Sequence, residues 1–96
     1  MKFSQGFVYY TVNGAPTNHA GIKTKITQIL TNRALAYHML NQQDKVLEST
    51  SYVLENLDPN NIKALMRRAF AYRADLSFEL ALKDLLKMKE LMSPND

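Results

Sequence analysis

One internal echo constrains this chain more than any other feature. Asn32-Arg33-Ala34-Leu35-Ala36-Tyr37 is answered by Arg67-Arg68-Ala69-Phe70-Ala71-Tyr72, and Leu57-Asp58-Pro59-Asn60-Asn61 by Met92-Ser93-Pro94-Asn95-Asp96. Every matched pair is separated by 35 residues. A fixed period of that size with helical patterning inside it predicts repeated helical hairpins, units that cannot bury their apolar faces alone and so pack on one another. Such arrays expose long surfaces that hold other chains, so binding rather than catalysis is the expected activity.

The apolar spacing sets out the helices. Ile26, Ile29, Leu30, Ala34, Tyr37 and Leu40 recur at three- and four-residue steps, predicting an amphipathic helix from about Lys25 to Leu40. After the polar Asn41-Gln42-Gln43, Asp44 is placed to cap a second helix with Leu47, Thr50, Val53, Leu54 and Leu57 as its buried stripe. Asp58-Pro59 ends it, because proline cannot continue a helix, and Asn60 or Asn61 can accept the free N–H groups of a third helix running from Ile62 to Ala74. Following Asp75-Leu76-Ser77, a fourth covers Phe78 to Met92, with Ala81, Leu82, Leu85, Met88 and Leu91 on its apolar side.

Residues 1–23 break this rhythm. Phe7-Val8-Tyr9-Tyr10-Thr11-Val12 has strand-like composition, yet in a helical array it can equally be the second helix of an earlier, incomplete repeat. A strand would need a sheet to join, which favours the helix. The loop-like Asn13-to-Gly21 stretch follows. The expected division is 1–23 as the partial first repeat and loop, and 24–96 as two full repeats.

At 96 residues the chain is one small domain, and with no cysteine it has neither a disulfide framework nor a thiolate site. That agrees with a reducing compartment, and a cytoplasmic location is expected. No stretch approaches the roughly 18 apolar residues of a membrane span. The formal net charge of +3 is modest, but Lys63, Arg67, Arg68 and Arg73 lie close together, which suits a carboxylate-bearing ligand better than a nucleic acid. His19 and His38 have no neighbouring ligand set, and no serine or threonine is paired with a histidine, so no metal, cofactor or enzymatic activity is expected.

Taken together, residues 26–96 resemble the tetratricopeptide repeat, a helix–turn–helix unit with small residues where its helices cross. Ala34 and Ala69 stand for its close-contact residue, Ala36-Tyr37 and Ala71-Tyr72 for its Ala-Tyr pair, Ala81 for the small residue of the second helix, and Pro59 for its terminal proline. The resemblance implies an all-α fold of helical hairpins stacked as a short right-handed solenoid. The chain departs from the pattern in three ways: each repeat is one residue longer than usual, Val46 replaces an alanine, and no glycine follows the first helix.

Within that family the closest resemblance is to co-chaperones that grip the free C-terminal carboxylates of heat-shock chaperones ending in Glu-Glu-Val-Asp. Asn32 matches their groove-facing asparagine, and Lys63-Ala64-Leu65-Met66-Arg67 their Lys-x-x-x-Arg pair. Physically, Lys63 and Arg67 are one helical turn apart, a spacing that can meet the two carboxylates of a terminal aspartate. Gln28, Leu35 and Met39 map by the 35-residue offset onto Lys63, Phe70 and Ala74, and these would line the groove, with Arg73 widening its basic field. The alternative function is a structural scaffold or self-assembling segment that binds no chaperone tail, with uncovered helix faces, Leu82, Leu85 and Leu86 among them, drawing in another copy. Arg68 points away from the groove on this reading and is structural.

Overall fold

The computed structural model describes residues 19–93. Among them the fold is all-helical: α1 (His19–Met39), α2 (Gln43–Tyr52), α3 (Ile62–Ala74) and α4 (Phe78–Met92), with no strand. Consecutive helices pack on one another, and α3 also touches α1. The expectations for Phe7–Val12 lie outside the described residues.

The offset of the sequence is an offset of geometry. Asn41 and Leu76, 35 residues apart, both adopt a left-handed backbone, with φ of 59° and 62°. Around each, the same pair of bonds closes the preceding helix. Asn41 N–H donates to the His38 carbonyl at 2.9 Å and Gln42 N–H to that of Tyr37 at 2.8 Å, while Leu76 and Ser77 donate to Arg73 and Tyr72 at 3.0 and 2.8 Å. This is the helix stop that glycine usually makes, because a Cβ is unfavourable at positive φ. Asparagine tolerates the conformation; leucine does so at a cost.

A second device accounts for the long period. Beyond Tyr52 the helix widens into a π-helical turn over Val53–Leu57, closed by Asp58 N–H on the Val53 carbonyl at 2.8 Å. A π turn takes up one residue more than an α turn, so the extra residue is absorbed without breaking the helix. Asp58 then organises the connection: one carboxylate oxygen accepts Asn60 N–H at 3.1 Å and the other accepts the Asn61 side-chain amide at 3.3 Å. Asn61 Oδ1 in turn accepts Ala64 N–H at 2.8 Å and caps α3.

The core runs between the hairpins. Val53 and Leu54 pack with Ala64 and Leu65, and Ala34 and Val46 with Ala71. Ala64 and Ala71 are wholly buried, and their small size is what lets the helix backbones approach.

Several expectations are corrected. α1 starts at His19 rather than near Lys25, so His19-Ala20-Gly21 is helix, not loop. The buried face of α1 is Thr27, Thr31 and Ala34, whereas Ile26, Ile29 and Leu40 are exposed. Threonine can take these places because its hydroxyl can bond back to its own helix, as Thr31 Oγ1 does to the Gln28 carbonyl at 3.2 Å. Asp44 does not cap α2; it lies within the first turn, where its charge favours the positive end of the helix dipole.

On α4, Leu82 and Leu85 are exposed and Asp84 is buried in their stead. Arg68 explains the exchange. Its Nε and Nη2 donate to the two Asp84 oxygens at 2.8 and 2.9 Å, and Nη1 reaches Ser51 Oγ at 3.3 Å. The Asp84 hydrogen bond raises the Arg68 pKa above its ordinary value, against the opposing pull of burial. Arg68 is thus structural, joining α2, α3 and α4.

Candidate functional site

The N-terminal half of α1 and the start of α3 face each other across a cleft of about 620 Å³. Residues at three- and four-residue steps along α1, from Ala20 through Thr24 and Thr27 to Thr31, form one wall, and Leu57, Asp58, Asn61 and Lys63 the other. Gln28, Asn32 and Lys63 all line it. Three of the residues expected at the site are therefore brought together.

Arg67 stands beside this cleft in a double capacity. It is half-buried, and its Nη1 donates to the Thr31 carbonyl at 2.7 Å. This contact spans from α3 to α1 and sets the guanidinium next to the end of the cleft that Thr31 and Asn32 mark. Leu35 and Phe70 do not line this cleft: they lie about one turn beyond Asn32 and two turns beyond Lys63, and both are exposed. Arg73 is exposed as well, with its guanidinium 5.3 Å from the centre of the Phe70 ring.

The electrostatics of the cleft are simple. The Asp58 carboxylate is engaged by its own turn, and the one ion pair among the described residues is Arg68 with Asp84. Lys23 and Lys63 consequently have no carboxylate partner among those residues. Two ammonium groups, side-chain amides and threonine hydroxyls around an open cleft can receive an anionic, hydrogen-bonding ligand.

Lys23, Thr24, Thr27 and Thr31 were not anticipated from sequence. Lys23 and Thr24 fall before the expected helix start near Lys25, and Thr27 and Thr31 continue the same polar stripe at helical spacing. Among the described residues no group of three or more potential metal ligands occurs, and no helix is long and apolar enough to cross a membrane.

Fold and cleft together define a class: a small all-helical protein of two related hairpins with a basic, amide-lined cleft between them. No family profile matches the chain. Over 98% of its length it is 33% identical to sperm-associated antigen 1 of mouse and 34% identical to that of rat. It spans about a tenth of the length of each. No solved structure matches.

Proposed function

We propose that this chain is a protein-interaction module of the tetratricopeptide type, with its hairpins stacked as a short right-handed solenoid, and that it holds the acidic C-terminal peptide of a heat-shock chaperone along α1 and α3. The observation that carries the reading is Lys63, without an ion-pair partner among the described residues, sharing one cleft with Gln28 and Asn32. A terminal aspartate offers two carboxylates, which Lys63 and the remaining N–H groups of Arg67 can receive while the Asn32 amide donates to the same end. The module acts by binding and carries out no chemistry of its own. It works in the cytoplasm as a co-chaperone-like adaptor, coupling a chaperone to a larger assembly.

Two features support this beyond the cleft. The helix-stop geometry repeats at the same 35-residue interval as the sequence, as a hairpin array requires. Similarity to a short segment of much longer proteins suits a module that serves a larger chain.

The test is substitution of exposed residues that line the cleft. Lys63→Ala and Asn32→Ala should each weaken binding of a peptide ending in Glu-Glu-Val-Asp by about tenfold, the loss of one charge-assisted contact. Unchanged affinity in both variants contradicts the reading.

A further inference from the structure

The 35-residue offset relates surfaces as well as helices. Inside the molecule, the outer face of the first hairpin meets the inner face of the second. Leu47 packs against the Ala71 cluster, Val53 and Leu54 against Ala64 and Leu65, and Arg68 crosses to Ser51 within the field of Glu55. Each face has a counterpart at the far side of the other hairpin, and no described residue covers either counterpart.

Burial shows this directly. Thr50 is 0% exposed, whereas Leu85, its counterpart on α4, is 41% exposed. Ala64 is 0% exposed, whereas its counterpart on α1, Ile29, is 56% exposed. Leu82 and Met92, the equivalents of Leu47 and Leu57, are exposed on the α4 side, and Ala36 and Arg33, the equivalents of Ala71 and Arg68, on the α1 side. Among the described residues there is thus an exposed copy of the α2 face on α4 and an exposed copy of the α3 face on α1.

Those two faces are complementary because the joint inside the molecule already unites their equivalents. Charge agrees with shape. Glu55, which lies in the field of Arg68, has Glu90 as its counterpart, and Arg68 has Arg33; neither Glu90 nor Arg33 is in an ion pair among the described residues. The groove beside α3 and α4 is bordered by Leu54, Glu55 and Pro59 of the first hairpin. The equivalent groove between α1 and α2, about 440 Å³, is lined by Leu30, Arg33, Tyr37, Glu48, Ser49 and Tyr52, with no residue of a preceding hairpin among the described residues; Glu48 shares it with Arg33.

We propose that a second copy of this chain docks head to tail, the α4 face of one copy seating on the α1 face of the next, with Glu90 of one opposite Arg33 of the other. Such a joint is heterologous, so it propagates rather than closing as a two-fold dimer. Lys89 stands where Leu54 stands internally, so the joint between copies is weaker than the one within the chain.

Sedimentation of the 96-residue chain over a range of concentrations tests this, with Arg33→Glu, Glu90→Arg and an equimolar mixture of the two beside it. The expected result is a mean mass that rises with concentration past two copies, and association weakened by roughly tenfold or more in each single variant. Mixing should restore it, because each reversed charge then meets the other; this also shows that neither variant has simply misfolded. A monomer at every concentration, a mass that stops at two copies, or a mixture no better than its parts overturns the proposal.

Discussion

The Arg67 guanidinium ties α3 to α1: its Nη1 donates to the Thr31 carbonyl at 2.7 Å, one residue from Asn32. The side chain that would meet a ligand is therefore also a fastening between the hairpins. A charged donor on a half-buried carbonyl fixes where the two walls of the cleft stand relative to one another.

Arg67→Ala should accordingly lower stability by about 1 kcal/mol as well as impair binding, whereas Lys63→Ala should leave stability unchanged. Urea denaturation of both variants separates the two roles. Equal midpoints for Arg67→Ala and the wild type would show that the Thr31 contact holds nothing.

The left-handed backbone at Leu76 predicts a stabilising change. Leu76 is 73% exposed, so Leu76→Gly removes the Cβ strain at a φ of 62° and sacrifices little burial. A gain of about 1 kcal/mol is expected, and a smaller one for Asn41→Gly, since asparagine already tolerates the conformation. Thermal melts of the two variants provide the check, and a lower midpoint for Leu76→Gly would contradict the assignment.

Buried Asp84 is the most sensitive polar position in the chain. Removing its carboxylate leaves the Arg68 guanidinium without its partner, so Asp84→Ala should cost about 3 kcal/mol. Replacing both residues, as Arg68→Met with Asp84→Leu, should recover much of that loss. The pH dependence follows from the sign of the shift. Arg68 has a pKa raised in the folded state, so its contribution is complete below the ordinary arginine range and is lost only as pH rises through the raised value. Stability owed to this pair should therefore stay constant across neutral pH, which denaturation of wild type and Asp84→Ala at pH 6 and about pH 9 would measure.

The helices and their period were legible because they rest on spacing. Ile62–Ala74 and Phe78–Met92 were bounded by Asn61, Asp75 and Ser77 as caps and turns, all local signals. The added residue of the period was visible too, though not that in the first hairpin a π turn over Val53–Leu57 absorbs it. What sequence could not display was burial decided by a partner distant in the chain. Leu82 and Leu85 look like core and Asp84 like surface until Arg68, 16 residues earlier, is seen to claim the buried position. Likewise the Arg67 contact with the Thr31 carbonyl, 36 residues away, has no sequence signature.

For the site, Gln28 and Lys63, equivalent by the offset, both line one cleft, because equivalent positions on adjacent first helices lie side by side. Leu35 and Phe70, also equivalent by the offset, lie outside the lining of that cleft and are exposed. The N-terminal half of α1 was lost because Gly21 was read as a loop residue, although a helix tolerates one glycine for about 1 kcal/mol.

The account turns on whether the cleft recognises a free carboxylate, and one titration addresses that. A fluorescent peptide ending in Glu-Glu-Val-Asp is measured against its C-terminally amidated twin at low and at moderate salt. The prediction is that the free acid binds at least about tenfold more tightly and that the difference shrinks as salt screens the ammonium groups. Equal binding of the two peptides, or of neither, would contradict it.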